Sequence, residues 1–225
     1  MARSLSRSRL PKTFRLGDYT EALDGVTLIV GEGLCSNIYV VGRENATIID
    51  TGVGNSMNPV WPQLSELGVE PINVGKVVLT HAHHDHAMGA FLILQRADPQ
   101  VYVHEEDTRY IASCLGDNLV KVREGDVIET ELWPLTVYWT PGHTSGSMSL
   151  YNKEHRILFS GDTVFPDGYY GRYDGESGSY EAIVESLRKL AELDVEYLLP
   201  GHGSPVLEDG NRHVEMALRS ATRWG

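Results

Sequence analysis

Cysteine is almost missing from this chain. Cys35 and Cys114 are its only two, too few for a disulfide framework and without the spacing of a metal-binding pair. They read as small core side chains or incidental free thiols, and a reducing cytoplasm suits them. No apolar run approaches the ~20 residues that a membrane-spanning helix requires, so no membrane association is expected. Positive charge is scarce too, with 19 Lys and Arg against 31 Asp and Glu. Arg3, Arg7, Arg9, Lys12 and Arg15 all precede the first acid, Asp18, so the net charge of −12 becomes −17 once those five are set aside. A body of that sign repels nucleic acid and leaves a small molecule as the expected partner. Residues 1–15 lack the apolar centre of a secretory signal and, despite an Arg and Ser content like that of a transit peptide, read as a solvated, disordered arm. No low-complexity linker and no clear repeat divides the remainder, so residues 16–225 read as a single domain.

Short β-branched runs separated by Gly, Asn and Asp predict antiparallel strands over 26–30, 37–41 and 46–49. Asn58-Pro59 reads as a helix cap followed by proline at the first helical position, opening a helix to about Leu67. Strand 77–79, helix 87–95, strand 101–103 and a short helix over 105–114 follow. From Val127 the pattern turns to strands, at 127–128, 135–140, 148–151 and 157–160, which implies a second sheet. Ser179 opens a helix whose Ile183, Val184, Leu187, Leu190 and Ala191 recur at helical spacing, with Glu185 and Lys189 able to pair on the wet side. A last strand over 197–199 and a closing helix over 211–223 complete the chain.

Between the strand ending at Leu79 and the helix from Ala87 lies Thr80-His81-Ala82-His83-His84-Asp85-His86. His81 and His83 are two apart, so extended backbone puts both rings on one face. Asp85 and His86 follow where the chain bends and can address a second point nearby, while His84 faces elsewhere. One metal ion does not need so many ligands in one turn; two adjacent ions would use them in pairs. Imidazole and carboxylate without thiolate suit Zn²⁺, with Fe or Mn as alternatives. The plainer alternative is a surface histidine cluster with Asp85 as a helix cap. Asp50, at the end of its strand, is either a turn residue or a hydrogen-bond partner that orients a metal ligand.

Three later strands end in tight turns that carry further donors: His143 in Pro141–Gly146, Asp162 in Gly161–Thr163 and His202 in Pro200–Gly203. Turns at the same end of strands running the same way gather on one rim, so these three can converge on the histidine run. The expected set is His81, His83 and His143 on one ion, Asp85, His86 and His202 on the other, and Asp162 shared. His104, His155 and His213 lack such a setting and read as structural or solvent-facing.

Together these residues resemble the metallo-β-lactamase superfamily, over roughly residues 37–203, with Asp50-Thr51-Gly52 similar to its first motif. The resemblance implies a four-layer αββα sandwich with a dinuclear site at one edge, two Zn²⁺ per chain, and hydrolysis of an ester or thioester by a hydroxide bridging the ions, oriented by Asp85. Asp162 is unlike the true β-lactamases, and His83 stands where the flavodiiron branch tends to use glutamate. Gly171-Arg172-Tyr173-Asp174 resembles a Gly-Arg-Thr-Asp element of the type II glyoxalase branch, which implies a substrate contact from Arg172, with a surface ion pair to Asp174 as the plainer alternative. Tyr169, Tyr170 and Tyr173 lie in the glycine-rich loop after Asp162, where a hydroxyl either contacts substrate or packs the loop. Only 23 residues follow His202 in a chain of 225, short of that branch's glutathione-binding helical region, so glutathione is not carried over. The rival expectations are a mononuclear Fe(II) persulfide dioxygenase using His81, His143 and Asp162, a lactonase, and an RNA-processing nuclease guided by the basic arm.

Overall fold

The computed structural model describes residues 12–55 and 59–223. Two sheets carry the fold. The first has seven strands in sequential order: β1 Thr13–Arg15, β2 Val26–Ile29, β3 Ile38–Val41, β4 Ala46–Ile49, β5 Val74–Leu79, β6 Gln100–His104 and β7 Leu119–Val122. Its pairs are antiparallel from β1 to β4 and parallel from β4 to β7. The second has five strands, β8 Val127–Glu129, β9 Pro134–Trp139, β10 Met148–Asn152, β11 Ile157–Gly161 and β12 Tyr197–Pro200, in the order β12-β11-β10-β9-β8.

Strand alternation sorts the apolar residues into three layers of core. Tyr39, Val41, Ile49 and Val78 of the first sheet meet Leu135, Val137, Leu150, Phe159 and Leu199 of the second between the sheets. On the other face of the first sheet, Val40, Ile48, Val77 and Leu79 pack against helices α1 Val60–Glu66, α3 Gly89–Leu94 and α4 Thr108–Leu115. On the outer face of the second, Leu158 and Leu198 pack against Ile183, Leu187 and Leu190 of α5 Tyr180–Ala191 and Val214 and Ala217 of α6 Gly210–Thr222. Helix, sheet, sheet, helix is the αββα sandwich expected. No helix among the described residues is long and apolar enough to cross a membrane.

Several local expectations are corrected. Residues 1–11 of the expected arm lie outside the described residues, but Thr13–Arg15 form a strand, because pairing with Thr27–Ile29 satisfies an otherwise open sheet edge. Asn58 also lies outside them; α1 starts at Val60 with Pro59 at its cap. The helix expected from Ala87 begins earlier, as α2 His84–Ala87, since the His83 carbonyl already accepts from the N–H groups of His86 and Ala87, both at 3.0 Å. Strand β7 was not expected at all. Lys189 pairs with Glu124 at 3.0 Å and donates to the Trp139 carbonyl at 2.7 Å, while Glu185 takes Arg188 instead.

The topology puts the chemistry on one rim. Strands β4 and β5 are parallel, β11 and β12 are parallel, and β9 runs with β11 because both oppose β10. Their carboxyl ends lie together, and backbone hydrogen bonds stitch the two sheets there: Met148 N–H to the Thr80 carbonyl at 2.9 Å and Asn37 N–H to the Gly201 carbonyl at 2.7 Å.

Candidate metal centre

The first sheet supplies four donors. His81 leaves β5 buried, with Nδ1 3.1 Å from Thr80 Oγ1, so Nε2 faces outward and meets His83 Nδ1 at 3.1 Å. His83 caps α2, His84 is exposed, and Asp85 and His86 sit in the first turn of that helix. Buried Asp50 accepts the Thr80 N–H at 2.8 Å and the Thr80 hydroxyl at 2.9 Å, and lies 2.8 Å from His86 Nδ1. That contact holds a proton on Nδ1 and turns His86 Nε2 toward the other donors. Asp50 does this from a left-handed backbone conformation, φ 55°, which a non-glycine residue adopts at a cost.

The second sheet supplies three donors, each from a turn after a strand. His143 Nδ1 donates to the Arg172 carbonyl at 2.7 Å, so Nε2 faces His83 Nδ1 at 2.8 Å. His202 Nε2 lies 3.2 Å from His86 Nε2 and 3.1 Å from Asp85 Oδ2. Asp162 stands between the sets: Oδ1 is 3.3 Å from His86 Nε2, and Oδ2 is 3.5 Å from His143 Nε2 and 3.6 Å from His202 Nε2. Thus His81, His83 and His143 form one close group, Asp85, His86 and His202 another, and His81, His86 and Asp162 a third that overlaps both.

This donor set fits metal ions. His83 Nδ1 faces two other ring nitrogens and carries at most one proton, so lone pairs converge without enough protons to share. Asp162 Oδ1 is buried without an aligned hydrogen-bond donor, a costly state that a cation relieves. Burial, and then the neighbouring imidazoles, push His81 well below the usual histidine range and His83 below it, which suits neutral ligands. Burial also opposes charge on His86, yet the Asp162 and Asp50 carboxylates outweigh it and hold His86 well above that range. Burial would raise Asp162, but His86 and the other histidines bring it down to about 2.

Asp107 is a residue that sequence reasoning missed. Wholly buried, its carboxylate accepts from Ala82 N–H at 2.8 Å, Thr144 Oγ1 at 2.9 Å and Gly146 N–H at 2.8 Å. It therefore ties the histidine run to the turn that carries His143. Nothing in the run Glu105-Glu106-Asp107 marks it, because its partners are 25 to 39 residues away.

A cleft of about 350 Å³ opens over the centre and is lined by His83, Asp85, His143, Asp162, Arg172 and Asp174 among others. Arg172 reaches it, with its guanidinium paired to Asp174 at 3.0 Å. Tyr170 and Tyr173 are not among its lining residues: they stack on each other, 6.5 Å between ring centres, and Tyr173 packs on Tyr180 of α5. This is the loop packing that stood as the alternative to substrate contact, with Tyr173 still exposed. His104 stacks on Trp139, His155 lies near Trp133, and His213 accepts the Asp167 N–H.

Comparison with known proteins agrees with this geometry. The profile described as Metallo-beta-lactamase superfamily matches residues 30–202. Hydroxyacylglutathione hydrolase GloC of Haemophilus influenzae is 26% identical over 72% of this chain and 82% of its own length. Acyl-coenzyme A thioesterase MBLAC2 of Gallus gallus is 31% identical over 74% of this chain and 72% of its own. The solved structure of TTHA1623 in a di-iron-bound form superposes with a TM-score of 0.66 at 25% identity, covering 86% of this chain and 96% of that one.

Proposed function

The chain belongs to the metallo-beta-lactamase superfamily, and we propose that within it this protein is a two-metal hydrolase of thioesters or related esters. The observation that carries the proposal is the meeting of seven donors from four separate segments, with Asp162 against both sets. The thioester preference is supported by one relative named as a thioesterase and another named for an acylglutathione, itself a thioester. In this reading His81, His83 and His143 hold one ion, Asp85, His86 and His202 the second, and Asp162 is shared. Zn²⁺ fits the donor chemistry; iron is the alternative, as in the di-iron neighbour.

Two bound ions would supply water of lowered pKa and a Lewis acid for the substrate carbonyl. The chain's own groups do the rest. Asp85, partly open to the cleft, is placed to orient the attacking water and take its proton. Asp50 keeps His86 in register through Nδ1 and is fixed in turn by Thr80. The Asp107 bonds hold the two halves of the centre at a set distance. A small-molecule substrate and a cytoplasmic site of action belong to the same proposal, the latter from the scarcity of cysteine.

The test is metal quantification on the purified protein coupled to a panel of thioesters, lactones, phosphodiesters and persulfides. Two ions per chain with thioester cleavage is the expected result. One iron per chain with oxygen uptake on a persulfide overturns it in favour of the mononuclear dioxygenase, for which Asp85, His86 and His202 have no use.

A further inference from the structure

A second cavity, of about 490 Å³, lies beside His202, within the size range of small-molecule sites. Its apolar lining comes from Phe14, Leu16, Leu28 and Val30 and from Pro205 and Leu207. Asn37 also lines it, but that amide is engaged in the frame, donating to the Pro200 and Gly203 carbonyls at 3.0 and 2.8 Å and accepting the Gly31 N–H at 3.2 Å. The wall is also anchored to the metal centre through backbone. Ser36 N–H donates to the Asp85 carbonyl at 3.1 Å, and Asn37 N–H to that of Gly201. A group lodged in the cavity therefore sits at a fixed offset from the donors. The cleft described above is lined instead by ionisable side chains, with the Arg172–Asp174 pair among them. His202 lines the cavity and Asp85 lines the cleft, and the two side chains are 3.1 Å apart.

We propose that this cavity receives the acyl chain of the substrate, and that the protein selects thioesters with an unbranched apolar acyl group of medium length over acetyl thioesters. The proposal rests on the thioesterase reading above. The thiol portion lies in the cleft and the carbonyl at the border of the two spaces, beside Asp85 and His202. Hydrolysis there breaks the acyl carbon–sulfur bond and joins the water oxygen to that carbon; the sulfur leaves with a proton as a thiol, and the product is a carboxylic acid. A chain leaving water for apolar walls gains about four-fold in transition-state binding per methylene, so selectivity accumulates with length until the cavity is full.

The test is kcat/KM for N-acetylcysteamine thioesters from acetyl to dodecanoyl, using the full-length, metal-loaded protein. The expected result is a rise of about four-fold per methylene that levels off at medium length. Val30→Trp and Leu207→Trp narrow the cavity from two separate segments of its lining, and each should lower the ratio of octanoyl to acetyl turnover by ten-fold or more. Melting temperature and metal content identify a variant that has not folded, in which case the other variant decides. Turnover independent of chain length, or a slope undiminished in a folded variant, overturns the proposal while leaving the hydrolase reading intact. A slope that emerges only after removal of residues 1–11 assigns the cavity to the chain's own N-terminus and overturns it as well. No turnover at any length overturns the thioesterase reading instead. Binding of the matching alkyl thioethers, which cannot be hydrolysed, then reads the cavity alone: affinity rising with length keeps the apolar site, and affinity independent of length removes it.

Discussion

A side chain at position 201 would collide with the centre. A Cβ on Gly201 would stand 2.3 Å from Asp162 Oδ1 and 2.7 Å from His86 Cε1, so Gly201→Ala must move a proposed shared ligand. Its expected effect is a metal content below two per chain and at least a ten-fold loss of hydrolysis, read by elemental analysis and initial rates. Asp162→Ala removes that ligand outright and should abolish both metal pairing and turnover; a variant with full metal content and full activity contradicts the assignment. Asp50→Asn leaves the turn able to adopt its left-handed backbone but weakens the hold on His86, and metal affinity should fall by about 10- to 100-fold. Acidity acts on the same residue. Because His86 is held above the ordinary histidine range in the metal-free site, metal uptake must displace a proton, and affinity measured by titration should decrease as pH falls.

At the scale of elements, the turn between β3 and β4 is held by a residue from the other sheet. Glu131 accepts the N–H groups of Arg43 at 2.8 Å and Asn45 at 2.7 Å, and these bonds hold its carboxyl below the usual range. A carboxylate lowered on folding contributes stability above its unfolded pKa and loses it as pH falls through the folded value. Glu131→Gln should therefore cost up to about 1 kcal/mol near neutrality, given the exposure of the group, and the gap to wild type should close in acid, as read by denaturant unfolding. Most elements were legible in the sequence because their signals are local: a short β-branched run between turn residues in Ile38–Val41, helical spacing in Ile183–Leu190. The clustering of the seven candidate donors was legible for a related reason, since their four segments each follow an apolar strand, β5, β9, β11 or β12. What could not be read depends on distant partners. Asp107 serves turns 25 and more residues away, Lys189 chooses Glu124 over its helical neighbour, and edge strand β7 is only partly buried.

For the whole molecule, the centre straddles two sheets: His81, His83, Asp85 and His86 come from the first, and His143, Asp162 and His202 from the second. A ligand bound only by the folded state adds about 2.7 kcal/mol at a hundred-fold excess over its dissociation constant. Stripping the protein with a chelator should accordingly lower the melting temperature by several degrees, reversibly on adding zinc. The backbone bonds from Met148 to Thr80 and from Asn37 to Gly201 span the same seam. An ion seated beside them acts as a rivet through both plates of the sandwich. Deuterium uptake by the Asn37, Thr80 and Met148 amides should slow when the ions are loaded, while that of the far-edge strand Val127–Glu129 stays as it was.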